Sequence, residues 1–222
     1  MNLQTAKSVR VQDSLLAPLE RPVLAWLVRR LPASTTPDHL TLLGFAAMLL
    51  AGVSYALTGF DVLFFHLVNF FLLLNWFGDS LDGTLARHTG KLRPRYGFYV
   101  DHMIDAFGTL FLVGGMAVSG VMGERAAMTL LTAYLLMSIH SYLCSQTLGV
   151  FRISFFGFSP TELRILLAVG NLVAIGKPVV RIAGEPYRLF DAGALVASAV
   201  MGCVLLASSI ATARRLYRLE RV

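Results

Sequence analysis

A chain of 222 residues that is 56% hydrophobic and 14% charged, with a mean hydropathy of +0.67, is too apolar for a soluble domain and reads as a polytopic membrane protein. Its net charge of +6 gathers at the N-terminus, at residues 87–95 and at the C-terminus, which suits anchored helix ends better than a nucleic-acid-binding face. Cys144 and Cys203 both lie in apolar segments and read as core residues, giving neither a disulfide framework nor a thiolate metal site.

Residues 1–13 are polar, contain no cleavable signal and read as loosely attached. Residues 14–31 are amphipathic. Leu16, Leu19, Val23, Leu24, Leu27 and Leu31 recur near helical spacing, with Arg21, Arg29 and Arg30 as charges and Trp26 as an interface residue. This predicts a helix lying on the membrane surface, interrupted near Pro22, with a docking helix as the alternative. Thr36 and Pro37 then supply a cap and a first helical residue for a span over about 38–58.

Gly59 and Asp61 make a short turn. A second span over 62–78 contains His66, read as a satisfied core residue, and Asn69. It carries Asp79 to Arg87 as its continuation. A basic loop with Lys91, Arg93 and Arg95 leads to a third span over 95–119, and a turn at 120–125 leads to a fourth over 126–149. His140, Ser141 and Ser145 give that span a polar stripe suited to helix packing. Residues 151–164 return to the side of Asp79, and Ser159 or Pro160 opens a fifth span over 160–176. An outer loop at 177–190 precedes a sixth span over 191–212 and a basic tail. The predicted fold is thus an all-α membrane protein of six transmembrane helices plus an N-terminal amphipathic interfacial helix. It divides into an N-terminal segment (1–37), a six-helix domain (38–213) and a C-terminal tail (214–222). Both termini lie on the cytoplasmic side.

One stretch organises the rest. Asp79-Ser-Leu-Asp82-Gly83-Thr-Leu-Ala86-Arg87 is followed after nine residues by Gly97-Phe-Tyr-Val-Asp101-His102-Met-Ile-Asp105. Carboxylates between apolar runs are costly, so a functional site is the default reading. Asp79 and Asp82 share one helix face, and Asp101 and Asp105 share another. Two such pairs facing each other repel unless cations lie between them. Oxygen-only ligands suit a hard ion such as Mg²⁺, Mn²⁺ or Ca²⁺. Gly83, Ala86 and Gly97 leave room for a ligand, and Arg87 can meet a phosphate with two parallel hydrogen bonds. Carboxylates alone would also allow a cation transporter, but that needs neither the small residues nor the arginine.

Asp-x-x-Asp-Gly-x-x-Ala-Arg, a gap and Gly-x-x-x-Asp-x-x-x-Asp resemble the signature of the CDP-alcohol phosphatidyltransferases, with every fixed position present. The nine-residue gap is one longer than the family's usual spacing. The resemblance implies attack of an alcohol on the phosphorus distal to cytidine in a CDP-linked substrate, releasing CMP. Either the CDP-linked substrate or the acceptor is a lipid. It assigns Asp79, Asp82, Asp101 and Asp105 to two Mg²⁺ or Mn²⁺ ions and makes Asp105 also the base. Gly83, Ala86, Arg87 and Gly97 would line the CMP part. Pro37 and Thr41 match the family's Thr-Pro-Asn-x-x-Thr, where Asp38 replaces the asparagine, and become nucleotide candidates. The implied enzyme is a six-helix homodimer whose active site faces the cytosol, as in a bacterial inner membrane. Two branches stay open. CDP-diacylglycerol with a polar alcohol fits the chain's length, with Arg152 and Arg164 suiting a phosphorylated acceptor. CDP-choline or CDP-ethanolamine with diacylglycerol is suggested by His102, a candidate base there, and by Glu162, which suits a cationic headgroup.

Overall fold

A computed structural model describes residues 9–11, 16–148, 150–152 and 160–220. Helices dominate. α1 (Ala17–Val28) is followed by six longer helices: α2 (Pro37–Leu57), α3 (Leu63–His88), α4 (Pro94–Val118), α5 (Glu124–Leu148), α6 (Pro160–Gly176) and α7 (Leu189–Leu219). Each lies where the sequence pattern places it. α2, α5 and α7 combine length with mean hydropathies of 2.0, 1.4 and 2.2, enough to cross a membrane. α3 and α4 give one end of their length to polar and acidic side chains, and α6 has 17 residues. Leucines such as Leu42, Leu73, Leu110, Leu143, Leu166 and Leu206 point outward, as a lipid-facing surface requires.

α2 is the central helix and packs against both α3 and α4. Its own glycines allow this. A Cβ on Gly78 of α3 would stand 2.6 Å from both Gly44 N and Leu40 O of α2. A Cβ on Gly115 of α4 would stand 2.0 Å from Gly52 O. The backbones therefore touch at two levels, with Ala47 and Ala51 buried between them. Small residues do this work in lipid, where van der Waals packing drives helix association. Around the second crossing, Tyr55, Val68, Leu72, Leu112 and Met116 form the main core with Phe190 of α7. A buried polar chain laces it: Tyr55 Oη donates to Asn171 Oδ1 at 2.7 Å, and Asn171 Nδ2 donates to Asn69 Oδ1 at 2.7 Å. Asn69 Nδ2 ends the chain on Ala168 O at 3.3 Å.

The helix starts follow their local chemistry. Thr36 caps α2 by accepting from His39 N, while His39 Nδ1 accepts from Thr36 N, and Pro37 stands at the first position. Asp38 lies beyond this cap and pairs instead with Arg93 of the α3–α4 loop.

Several expectations need correction. α1 runs unbroken through Pro22, although the proline has no N–H to give to Pro18 O. α1 also does not simply lie on a surface. Leu24 and Val28 pack into a second core with Leu40, Leu81 and Leu85, while Leu19, Val23 and Trp26 stay exposed. Of residues 1–13, Val9–Val11 form a strand β1 parallel to β2 (Val150–Arg152), and the rest lie outside the described residues. Ser159 also lies outside them. His66 and Cys203 are exposed rather than in the core. The loop at 177–190 contains an antiparallel hairpin, β3 (Val179–Ile182) and β4 (Glu185–Arg188). Ala183 and Gly184, both at positive φ, close its two-residue turn. The basic tail is no separate segment up to residue 219, since α7 runs unbroken through Arg214, Arg215 and Arg218.

Gly115→Ala must push α2 and α4 apart and is expected to destabilise the fold by about 1–3 kcal/mol. Gly114→Ala next to it, where a Cβ meets nothing within 4 Å, is the control. Thermal unfolding in detergent distinguishes the two.

Candidate active site

The last turns of α3 carry Asp79 and Asp82, and the second and third turns of α4 carry Asp101 and Asp105. α3 and α4 both cross α2, so the two acidic pairs face the same space. All four are half-buried. The carboxylate of Asp105 lies within electrostatic range of Asp79, Asp82 and Asp101, and of the guanidinium of Arg164. Asp105 thus has the other three aspartates as electrostatic neighbours.

Each carboxylate is held differently. Asp79 Oδ2 accepts from Arg164 Nη2 at 2.5 Å, a pair with side-chain exposures of 27% and 12%, which keeps it largely out of water. Asp82 Oδ2 accepts from Thr41 Oγ1 at 2.6 Å, and its other oxygen lies on the backbone N–H of Gly83. Thr41 Oγ1 also donates to Pro37 O at 3.0 Å, so the hydroxyl is shared between two acceptors. Asp101 lies 3.9 Å from His102 Nδ1. Asp105 makes no hydrogen bond to the described residues, which leaves its oxygens able to take a proton or a cation.

Asn75 is the support beneath this site. It is buried one turn before Asp79. Its Nδ2 donates to Gly44 O at 2.9 Å, and its Oδ1 accepts from Arg164 Nε at 2.7 Å. The Arg164 fork thus spans Asn75 and Asp79 on one face of α3, and Asn75 in turn fastens α3 to α2. Sequence reading missed Asn75. The available signal was an asparagine four residues before Asp79 on the same helix face.

The other candidates distribute as follows. Arg87 is exposed at the end of α3, and its Nη2 reaches Thr84 Oγ1 at 3.2 Å. A Cβ on Gly83 would meet only Arg87, and one on Gly97 would meet nothing within 4 Å, so the backbone is approachable at both. Ala86 is half-buried on the same turn as Gly83. His102 adjoins Asp101 on α4 and has its Nδ1 on the Phe98 carbonyl. Its Nδ1 lies 2.6 Å from Phe98 O, and a carbonyl only accepts, so Nδ1 carries the proton and Nε2 is the basic nitrogen. The ring stacks on Phe98 at 4.2 Å and meets Tyr142 edge-on at 4.7 Å. Glu162 Oε1 accepts from Leu16 N at 3.0 Å, facing α1. Arg152 lies on β2, and its side chain is outside those described.

The donor set fits a hard divalent ion in kind: four carboxylates, all oxygen, from two facing helices. Among the described residues no three carboxylate, imidazole or thiolate side chains are gathered tightly enough to form a ready metal cage. Arg164 instead supplies the neighbouring positive charge.

Asn75→Leu leaves Gly44 O and Arg164 Nε without their partner at about 1–3 kcal/mol for each buried group. A lower unfolding temperature is expected, and a variant as stable as wild type would show that Asn75 does not support the site.

Similarities to known proteins follow the same stretch of chain. Residues 34–205, which run from just before α2 well into α7, match the model of the CDP-alcohol phosphatidyltransferase family. The archaetidylinositol phosphate synthase of Pyrococcus horikoshii is 32% identical over 129 residues, 57% of this chain and 62% of that one. The CDP-diacylglycerol–serine O-phosphatidyltransferase of Encephalitozoon cuniculi is 33% identical over 126 residues, 53% of this chain and 31% of that one. The chain therefore matches less than two thirds of the length of either relative. The crystal structure of Mycobacterium tuberculosis phosphatidylinositol phosphate synthase, with CDP-DAG bound, shares the fold. Its TM-score is 0.59 at 20% identity, over 86% of this chain and 92% of that one. With the matched residues covering α2 to α7 and both acidic pairs, the chain belongs to the CDP-alcohol phosphatidyltransferase family.

Proposed function

We propose that this chain transfers a substituted phosphate from a CDP-linked lipid to a polar alcohol, releasing CMP. The observation that carries this reading is the meeting of Asp79, Asp82, Asp101 and Asp105 beside Arg164. CDP-diacylglycerol is the preferred donor, because the relatives' names include two phosphatidylinositol-type or archaetidylinositol-type synthases and a serine transferase.

The reaction forms one phosphorus–oxygen bond and breaks another. The acceptor oxygen attacks the phosphorus distal to cytidine, and the bridging oxygen leaves with CMP. Asp105, the carboxylate with no hydrogen-bond donor among the described residues, takes the acceptor's proton as it attacks. Arg164 presents a largely buried guanidinium to a polar or phosphorylated acceptor, a role in which the planar fork matters more than charge alone. Gly83, Ala86 and Gly97 let the nucleotide approach the backbone, and Arg87 at the open end of α3 meets its phosphate. Pro37 and Thr41 place the start of α2 beside Asp82 and so beside the nucleotide. Two Mg²⁺ or Mn²⁺ ions held by the four aspartates would neutralise the diphosphate and the departing CMP.

α2 to α7 would cross the membrane six times, with α1 and the basic end of α7 at the cytoplasmic interface and the protein working as a homodimer. In this reading residues 38–213 are the catalytic unit, preceded by an N-terminal segment and followed by the basic end of α7. Exchange between CDP-choline or CDP-ethanolamine and diacylglycerol is the second reading. It is favoured by the His102 tautomer, which directs a basic Nε2 away from Phe98 O.

Purified protein in detergent with Mg²⁺ or Mn²⁺ should release CMP from CDP-diacylglycerol only when a suitable polar alcohol is present. Release from CDP-choline plus diacylglycerol alone would move the assignment to the second reading. Asp105→Asn should lower CMP release by about 10²–10⁴-fold while leaving the unfolding temperature near wild type. Full activity in that variant would remove Asp105 from the role of base.

A further inference from the structure

Glu20 of α1 stands outside the four-aspartate site, yet one of its oxygens collects donors from two other helices. Glu20 Oε1 accepts from Trp76 Nε1 at 2.7 Å, from Ser80 Oγ at 3.0 Å and from Thr161 Oγ1 at 3.0 Å. The positions of these donors matter. Ser80 directly follows Asp79 on α3, and Thr161 lies one helical turn before Arg164 on α6. The residues clamped by Glu20 thus adjoin the two partners of the Arg164–Asp79 ion pair. A second bond, from Leu16 N to Glu162 Oε1 at 3.0 Å, fastens the start of α1 to the same turn of α6.

The electrostatics favour a carboxylate here. Glu20 lies in the first turn of α1, and its side chain reaches the first turn of α6, so it adjoins the positive ends of two helices. A helix that merely rests on a membrane surface has no use for an acidic side chain turned toward the protein. α1 carries one there, and its apolar residues Leu24 and Val28 bury on α3 at the same register.

We propose that Glu20 is a positioning residue. Through Ser80 and Thr161 it fixes the distance between α3 and the start of α6, and so holds the Arg164 guanidinium beside Asp79 in the orientation that receives the acceptor. This rests on the reading of Arg164 as the acceptor-facing cation. In this role α1 closes the acceptor end of the site and does not take part in the chemistry.

The test uses the full chain with Glu20→Ala and Glu20→Gln. Hydrogen exchange of the amides at residues 164–168, the first in α6 with intrahelical partners, is expected to speed up about tenfold in Glu20→Ala. It should stay near wild type in Glu20→Gln, which keeps an accepting oxygen. In CMP release, Glu20→Ala is expected to raise the KM for the alcohol about tenfold, while kcat and the KM for the CDP-linked substrate stay within about twofold. In an Arg164→Ala background the same substitution should add nothing, because the group it positions is gone. Native exchange in α6, equal rises in both KM values, or a full additional loss in the Arg164→Ala background would each overturn the proposal. If Glu20→Ala does not fold, Thr161→Val removes one of the three bonds. An unchanged acceptor KM in that variant would overturn the proposal equally. A wild-type protein that releases no CMP would refute the transferase reading, and the exchange experiment would then decide the clamp alone.

Discussion

The structure depends on how closely one helix lets two others approach. α2 offers Gly44 to α3 and Gly52 to α4, and each meets a glycine or a bare carbonyl on the partner. In lipid there is little hydrophobic gain from pressing helices together, so close backbone packing must hold them. The consequence reaches the site directly. Gly78 precedes Asp79, and Gly44 lies one turn beyond Thr41. The contact that fastens α3 to α2 therefore also sets Asp82 against Thr41 Oγ1 at 2.6 Å. α4 is pinned by Gly115 near its far end, and the rest of the helix carries Asp105 and Asp101 back across the same face of α2. Two acidic pairs distant in the sequence meet because one central helix is thin on two sides.

Holding four carboxylates in one space costs energy that something must offset. Arg164 does part of this from α6, and its fork is shared between Asp79 and the neutral amide of Asn75. Sharing fixes the guanidinium in its plane, which a single ion pair on a flexible side chain would not do. α6 is itself held by the Tyr55–Asn171–Asn69 chain, in which Tyr55 and Asn171 are fully buried. Such a network specifies position when every member is satisfied. Among the described residues the exception at full burial is Ser198 Oγ on α7, away from the site.

The positions of all the long helices were legible in the sequence, because apolar runs of membrane length leave few alternatives. The acidic stretch was legible for a related reason: a carboxylate among leucines needs a purpose, and spacings of three and four residues put each pair on one face. The cap at Thr36 followed from residue types alone. What failed depended on neighbours that no local pattern reveals. α1 continues through Pro22, which local pattern reads as a break. His66 faces outward although its segment is apolar, since composition does not say which side of a helix is buried. Asp38 read only as standing where the family has an asparagine, and it is engaged by Arg93 from a loop 55 residues on. Arg164 read as suiting a phosphorylated acceptor and Glu162 as suiting a cationic headgroup. Two positions on one helical turn send the first to Asp79 and the second to α1. Asn75 stood one turn before Asp79 on its helix face, a signal that was passed over, and Glu20 offered none, because its partners lie on other helices.

The proposed function requires the facing aspartates to bind divalent cations. Electron paramagnetic resonance of Mn²⁺ titrated into the purified protein tests this without requiring turnover. Saturable loss of the free-ion signal is expected for wild type, with affinity weakened at least tenfold in Asp101→Asn and in Asp105→Asn, and undiminished in Arg164→Ala, where a competing positive charge is removed. No saturable binding in wild type, or wild-type affinity in both aspartate variants, would contradict the account.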